Sequence, residues 1–186
     1  MPIYTRKGDD GTTGLLFGGR VPKDSSRIET NGAVDEAQAA MGMARAEAAP
    51  GSELDGLLVL LEHDLYVLMA EVATADENRH KLVAGTSLVT AAMVEELERR
   101  IDELTARAAM PAEFVIPGAN RRSAALDLAR TAVRRAERVA LGHAVAGSLV
   151  TTYLNRLSDL LWTMARWQEG DEHPAARRAG KTGERS

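Results

Sequence analysis

Cysteine is absent from the 186 residues, and its absence excludes several kinds of chemistry. A chain without thiols forms no disulfide, no zinc–thiolate site and no thiol nucleophile. This composition is what a reducing compartment permits, and we expect a cytoplasmic protein.

Long apolar runs and a basic surplus are also lacking. No stretch approaches the ~18 consecutive apolar residues of a membrane span, and the first residues contain no apolar segment of the kind found in signal peptides. Acidic residues outnumber basic ones, 27 to 23, which gives a net charge of −4. Net negative charge disfavours general binding to nucleic acid. We therefore expect neither a membrane nor a nucleic acid as a partner.

Aromatic residues make up only 4% of the chain, whereas hydrophobic residues make up 45%. Leu, Val, Ala and Met must fill most of the core, which favours closely packed helices over an aromatic-rich sheet. The length suits a single domain of ~100–200 residues. We expect that domain over residues 1–169 and a disordered tail over 170–186, where large apolar residues are almost lacking.

Apolar residues at helical spacing predict five helices and an all-α bundle. Asn31 and Ser52 are the predicted N-caps of the first two helices. The other three are expected over 94–108, 123–145 and 150–167. Strand is expected only as a short hairpin ahead of the first helix.

Ahead of the helices, the stretch YTRKGDDGTTGLLFGGRVPK (4–23) combines five glycines, three threonines and four basic residues. Glycine lets the backbone approach a ligand closely, successive N–H groups form an anion-binding nest, and hydroxyls and cations complete a phosphate site. A Walker P-loop is excluded, because no Gly-Lys-Ser/Thr follows at the required spacing. The stretch predicts a phosphate-binding loop, and a hairpin-forming terminus without a binding role is the alternative.

Arginines recur in ARTAVRRAER, where Arg130, Arg134 and Arg138 step by four residues along one helical face. Like charges at this spacing repel each other, so the row indicates an anion or a partner carboxylate opposite it. The alternative is a solvated face whose arginines pair with neighbouring glutamates. In the next helix Asn155 and Asp159 share a face, where Asn155 serves either a ligand or a hydrogen bond between helices.

Other catalytic arrangements find little support in the sequence. The four histidines form no cluster, and Glu77 with His80 supplies the single Glu-x-x-His motif in ENRH, where a di-iron bundle requires two. No set of serine, histidine and aspartate can be selected either. We predict no resident metal site.

Several motifs occur together and in order. They are YTRKGDDGTTGL, GGRVPKD, GAVDEAQAAMG, FVIPG, ARTAVRRAER and YLNRLSDLLW. In this order and spacing they resemble the PduO-type ATP:cob(I)alamin adenosyltransferases, and the resemblance covers nearly the whole chain except the tail. The chain departs from the family pattern at Ala37 and Gln38, where Leu and Asn are frequent, and at Asp127, where His is frequent.

The resemblance implies a five-helix bundle, with a glycine-rich nucleotide-binding loop at its N-terminus, that forms a homotrimer with active sites between subunits. It implies transfer of the 5′-deoxyadenosyl group from ATP, bound with Mg²⁺, to cob(I)alamin, which yields adenosylcobalamin and tripolyphosphate. A cob(II)alamin reductase and an adenosylcobalamin-dependent enzyme are the implied partners. The alternative function is a non-catalytic carrier that delivers corrinoid or nucleotide to a partner, and a purely structural bundle leaves the N-terminal loop unexplained.

The site residues follow from the resemblance. Those implied in ATP binding are Thr5, Arg6, Lys7, Gly8, Thr13, Gly14, Lys23, Arg134, Arg135, Glu137, Arg138 and Asn155. Lys23, Arg134 and Asn155 are also the implied catalytic residues. Asp35 and Arg130 match a pair that joins two subunits beside the corrinoid, and Phe114 matches an aromatic residue that faces it. The resemblance also implies that cobalt(I) itself attacks C5′, so the protein is expected to orient the two substrates and neutralise the leaving group.

Overall fold

The computed structural model describes Tyr4 and residues 6–113, 115–170 and 176. Helix dominates these residues, as the sequence predicts, and the expected hairpin precedes the first helix. The strands are β1 (Thr12–Gly14) and β2 (Arg20–Pro22), and the α-helices are α1 (Ser26–Ala46), α2 (Glu53–Val72), α3 (Ala91–Arg107), α4 (Arg121–Ala140) and α5 (Val150–Glu169). Short 3₁₀-helices lie in two of the connections, at Asp76–Lys81 and Leu141–His143.

Small side chains form the centre of the bundle, where α1 packs against α4. α4 also packs on α5, α3 packs on α5, and α2 packs on α1. Buried alanines recur at helical spacing on both central helices, namely Ala33, Ala37, Ala40 and Ala44 of α1 and Ala129, Ala132, Ala136 and Ala140 of α4. Alanine adds little bulk between backbones, so the core closes by close approach of helices, as the low aromatic content predicts.

The start of α2 confirms one predicted cap, and the end of α4 corrects a predicted boundary. Ser52 caps α2, since its Oγ accepts a hydrogen bond from the Asp55 backbone N–H at 3.3 Å. α4 ends at Ala140, before the predicted end at residue 145, and a single 3₁₀ turn follows it. Gly142 lies in that turn, and glycine disfavours continuation of an α-helix.

The prediction that Asn31 caps α1 was wrong, because α1 begins at Ser26. The first turn of α1 is held by tertiary contacts of the buried Arg27. Its Nη1 donates hydrogen bonds to the carbonyl oxygens of Val72, at 2.6 Å, and of Thr74. These partners lie at the far end of α2, so no local sequence pattern marks the true start of the helix.

The hairpin places the glycine-rich segment against the end of α2. β1 and β2 are antiparallel, and Phe17, Gly18 and Gly19 of the turn between them have φ angles of 63°, 100° and 92°. The two glycines adopt positive φ without the penalty that a Cβ atom imposes. The backbone N–H of Leu16 donates to the carbonyl oxygen of Ala73 at 2.9 Å, which fixes the turn to the body of the protein.

The last helix, α5, ends at Glu169, and Gly170 follows with φ of 68°. The disordered tail over 170–186 stays a prediction, because beyond Gly170 only residue 176 belongs to the described part of the chain. Within the described ranges, none of the helices combines enough length with enough hydropathy to span a lipid bilayer.

Candidate active site

A cleft of about 720 Å³ opens between the hairpin segment and the helices α1 and α2. Its walls include Thr13, Gly14 and Lys23 from the N-terminal segment, Asn31 and Asp35 from α1, and Tyr66 from α2. Volumes of ~300–1,000 Å³ are usual for small-molecule sites. The structure therefore brings Thr13, Gly14, Lys23 and Asp35, all predicted site residues, to one cavity of suitable size.

Arg20 organises the loop that carries the predicted phosphate contacts. Its Nε donates to Thr12 Oγ1 at 2.9 Å, and its Nη2 donates to the carbonyl oxygen of Lys7 at 2.5 Å. Hydrogen bonds from the backbone and the hydroxyl of Thr12 hold the pKa of the Asp10 carboxyl below its ordinary value. The side chains of Arg20 and Asp10 thus form hydrogen bonds within the loop. The ammonium groups of Lys7 and Lys23 are cations of this loop that can bind a ligand.

Lys23 passes close to the backbone of Gly8. A Cβ atom at position 8 would lie 3.2 Å from both Cε and Nζ of Lys23, which is tighter than ordinary van der Waals contact. Glycine therefore provides the space that this lysine occupies. Lys23 forms no ion pair with any residue that the structure describes. An unpaired ammonium beside a glycine-rich loop is suited to neutralising a phosphate group.

A second group of predicted residues lies on the joint face of α4 and α5. Asn155 Nδ2 donates to Glu137 Oε1 at 3.0 Å, and Asn155 Oδ1 accepts from Arg156 Nη1 at 2.8 Å. These bonds fix the amide of Asn155 in one orientation. Arg134 and Arg138 are exposed, and neither has an acidic partner among the described residues. This face therefore presents two uncompensated positive charges beside a fixed amide.

The other arginines of this segment have acidic partners. Arg130 Nε lies 3.3 Å from Asp127 Oδ1, and Asp127 also accepts from the buried Arg166 at 2.6 Å. Arg135 pairs with Glu36 of α1. Arg135 thus joins α4 to α1, whereas Asp127, one of the departures from the family pattern, compensates a buried charge.

Within one chain the two groups do not share a cleft. The lysine-containing cleft is not bordered by Arg130, Arg134, Glu137, Arg138 or Asn155. Asp35 is exposed and forms no ion pair with the rest of the described chain. Arg6 has a φ of 60°, and its guanidinium lies 5.5 Å from the centroid of the Tyr4 ring. The predicted site residues Thr5 and Phe114 lie outside the described residues.

Sequence reasoning missed a buried polar network at the end of α2. Glu71 is 1% exposed. Its carboxylate accepts hydrogen bonds from Arg79 Nη2 at 2.8 Å, from the Val89 backbone N–H at 2.8 Å and from Ser148 Oγ at 2.6 Å. One side chain thereby holds the α2–α3 and α4–α5 connections to the end of α2 that carries the hairpin. The available signal was an acidic residue on the apolar face of a leucine-rich helix.

A small cavity beside this network is lined by His143 together with Arg27, Glu71 and Arg79. Burial and the positive charges of Arg27 and Arg79 lower the pKa of the His143 imidazole, although the carboxylate of Asp76 acts in the opposite direction. The imidazole is therefore largely neutral at pH 7 in the folded protein.

Tyr66 and Asn31 are among the cleft residues that were not predicted as site residues. Tyr66 is 71% exposed, and it lies beside the leucine stripe of α2 at a position that the core does not require. Asn31 was assigned to a helix cap, but it lies within α1 and lines the cleft. The sequence signals for these residues were a large aromatic ring at position 66 and an asparagine at position 31 that was interpreted as a helix cap.

The chemistry that this arrangement supports is the binding of a polyanion. Lys7, Lys23, Arg134 and Arg138 supply charge that the described chain does not compensate. Among the residues described, no group of three or more Asp, Glu, His or Cys side chains is arranged to hold a metal ion.

Comparison with known proteins identifies a family that this chain matches. The family model for cobalamin adenosyltransferase matches residues 3–168. The corrinoid adenosyltransferase of Citrobacter freundii is 39% identical over 170 residues, which cover 90% of this chain and 94% of the relative. The corrinoid adenosyltransferase of Bacillus subtilis (strain 168) is 39% identical over 172 residues, which cover 89% and 86% of the two chains.

A solved structure has a similar fold. It is a variant of the PduO-type ATP:corrinoid adenosyltransferase from Lactobacillus reuteri, complexed with cobalamin and ATP. The two chains superpose with a TM-score of 0.81 at 28% sequence identity, and the match covers 93% of this chain and 94% of the other.

Proposed function

This chain belongs to the cobalamin adenosyltransferase family, and we propose that it transfers the 5′-deoxyadenosyl group of ATP to the cobalt of cob(I)alamin. The products are adenosylcobalamin and tripolyphosphate. The observation that carries the proposal is the unpaired Lys23 in a cleft of about 720 Å³ beside the glycine-rich loop. It supplies positive charge where a triphosphate requires it.

The N-terminal segment is assigned to the triphosphate of ATP. The assigned residues are Thr5, Arg6, Lys7, Gly8, Thr13, Gly14 and Lys23. Backbone N–H groups of the glycines and the threonine hydroxyl donate hydrogen bonds to phosphate oxygens, and the cations balance their charge. The close approach of Gly8 to Lys23, at 3.2 Å from a Cβ position, supports this assignment, because a Cβ atom there would require the end of the lysine to shift.

The α4–α5 face is assigned to the same nucleotide. Arg134 and Arg138 add charge at the triphosphate, and the amide of Asn155, fixed by Glu137 at 3.0 Å, orients the substrate. Arg135 acts through its ion pair with Glu36, which holds α4 in place against α1.

In a homotrimer with sites between subunits, the two halves of the site come together: the cleft that contains Lys23 and the α4–α5 face. Both halves are exposed, and neither completes the other within one chain. In a closed ring the α4–α5 face of one subunit covers the cleft of the next, and every subunit contributes both halves to different sites. Asp35, which has no partner among the described residues, then pairs with Arg130 across the boundary.

The reaction requires no nucleophile from the protein. Cobalt(I) supplies the electron pair that forms the Co–C5′ bond while the C5′–O bond to the triphosphate breaks. The departing tripolyphosphate gains negative charge, which Lys23, Arg134 and the Mg²⁺ bound to ATP neutralise. Holding both substrates in one site replaces a random encounter by an oriented one. Phe114 is assigned to the corrinoid side of the site.

The substrates imply partners of defined chemistry. A cob(II)alamin reductase has to supply cobalt(I), and an enzyme that depends on adenosylcobalamin consumes the product. The reducing cytoplasm, expected from the sequence without cysteine, suits a substrate that must be kept as cobalt(I).

The test is formation of adenosylcobalamin by the purified protein from ATP, Mg²⁺ and chemically reduced cobalamin, followed by absorption spectroscopy. Lys23→Ala should lower kcat/KM about tenfold or more, since a charged hydrogen bond to phosphate is lost. Lys81→Ala is the matched control, because Lys81 is bonded to Asn78 and lies outside the cleft. A protein that binds ATP and cobalamin without forming the product is a carrier, and this result would refute the proposal.

A further inference from the structure

One wall of the large cleft is apolar and exposed. Tyr66 is 71% exposed, and Ile28, Met69 and Ala70 border the same cleft. The hydroxyl of Tyr66 has no hydrogen bond to a described residue. A bare aromatic ring in a small-molecule cleft is a surface for another planar ring.

The cleft also has a polar part. Thr13 and Lys23 border it on the hairpin side, where the proposed function places the triphosphate. ATP has the same division, with a flat, weakly polar base at one end and a polyanion at the other. If the phosphates bind at Lys23, the base therefore lies toward Tyr66, Met69 and Ala70 of α2.

A third observation concerns Asn31, which also lines the cleft. Its Oδ1 is shielded from solvent and accepts no hydrogen bond within the described chain. A shielded carbonyl oxygen without a donor is unfavourable, and a ligand that brings a donor relieves this cost. The 6-amino group of adenine is such a donor, whereas guanine carries an acceptor oxygen at the same position.

We propose that Tyr66 and Asn31 form the base subsite of this cleft: the ring of Tyr66 stacks on adenine, and the Asn31 carbonyl accepts from its amino group. This inference rests on the proposed function, because it takes ATP as the nucleotide. It adds a positioning contact and a specificity contact to the phosphate contacts of the loop.

The stacking contact is tested by comparing ATP with tripolyphosphate, which has the phosphates but no base. Tyr66→Ala should raise KM for ATP about tenfold and leave inhibition by tripolyphosphate unchanged, while Tyr66→Phe should behave as wild type. Leu60→Ala is the matched control, since Leu60 is a 39% exposed large residue of the same helix outside the cleft. Equal loss of ATP and tripolyphosphate binding, or a change in KM for cobalamin alone, would overturn the assignment of Tyr66.

The specificity contact is tested by the ratio of kcat/KM for ATP to that for GTP. Asn31→Leu should lower this ratio about tenfold, and Asn31→Asp, which keeps an acceptor and offers no donor, should preserve or raise it. An unchanged ratio in Asn31→Leu would overturn the assignment of Asn31. If the wild-type protein forms no adenosylcobalamin, the proposed function itself fails; if it does and the variants match it, only the base subsite is wrong.

Discussion

Among single side chains, the candidate site is marked by positive charge without an acidic partner. Arg99, Arg107 and Arg156 each pair with a glutamate on the surface, whereas Lys23 and Arg134 pair with none of the described residues. An exposed cation that makes no ion pair contributes little to folding. We therefore propose that Lys23 and Arg134 act in binding, and their removal should reduce function without reducing stability.

We predict that Arg134→Ala loses at least about tenfold in kcat/KM for ATP, because a charged hydrogen bond to phosphate is worth ~1.5–3 kcal/mol. The melting temperature should stay within error of wild type, since no described contact is broken. Arg122→Ala removes an exposed arginine from the first turn of the same helix and serves as the control. Unchanged kinetics in folded Arg134→Ala would remove this residue from the site.

Lys23 and Arg134 could be predicted as site residues from the sequence, because each lies in a short motif whose order and spacing are specific. The role of Glu71 could not, because its donors come from residues 8, 18 and 77 positions further along the chain. The partnership of Asp127 with Arg166 is equally remote, across 39 positions. Local patterns carry no information about such partners, which only the fold brings together.

Among the helices and loops, the end of α2 connects the site to the body of the protein. Glu71 bonds to both neighbouring connections, and Ala73 accepts the hydrogen bond that fixes the hairpin turn. The loop that is proposed to hold ATP therefore depends on this network for its position.

We predict that Glu71→Ala lowers the free energy of unfolding by about 3 kcal/mol, because Arg79, the Val89 N–H and the Ser148 hydroxyl lose their acceptor in a buried setting. Urea denaturation at neutral pH measures the change. Glu77→Ala, an exposed carboxylate in the adjacent 3₁₀-helix, should stay within about 0.5 kcal/mol of wild type. Equal stability of the Glu71 and Glu77 variants would contradict the role of the network.

A pH dependence is expected at the same place. Burial and the charges of Arg27 and Arg79 lower the pKa of His143 below its ordinary value of 6.5, against the opposing charge of Asp76, and Glu71 faces the same cavity. The unfolded chain therefore binds this proton more readily than the folded one, so the free energy of unfolding decreases as the pH falls through 6.5 toward the lower folded-state pKa. At pH 7 and above, the His143 imidazole is largely neutral in both the folded and the unfolded state. Its contribution to the pH dependence of the free energy of unfolding then disappears.

We predict that the urea midpoint of the wild-type protein falls between about pH 7 and pH 5, and that His143→Asn has a shallower slope over this interval. Measuring the urea midpoint of both proteins at each pH separates the effect of His143 from that of the carboxylates, because the carboxylates titrate in both proteins. An identical slope in the variant would show that His143 titrates with the same pKa in the folded and unfolded states.

Periodicity predicted the helices because burial of an apolar stripe is the force that forms them, as in the leucine face of α2. Boundaries were less predictable where tertiary contacts decide them. Asn31 has the side chain of a cap residue, but Arg27 anchors an earlier turn. The hairpin followed from its glycines, yet its attachment to Ala73 did not.

For the whole molecule, the main consequence of the proposed function is that each chain supplies two incomplete halves of a site. The cleft with Lys23 and the face with Arg134 lie on different parts of the surface, and both are open. In a cyclic trimer each site takes its cleft from one subunit and its arginines from the next. A site contained within one chain would instead require the α4–α5 face and the hairpin to meet in the same subunit.

Subunit complementation tests this directly. Lys23→Ala and Arg134→Ala chains, each with its own affinity tag, are co-expressed, and mixed oligomers are isolated through both tags in succession. Every mixed trimer contains one site with an intact Lys23 from one chain and an intact Arg134 from its neighbour, so turnover per trimer should recover to about a third of wild type. Each variant alone should stay below about a tenth of wild type. Mixed oligomers no more active than their parents, although they sediment as trimers, would show that both residues act within the same chain and would contradict the proposed intersubunit site.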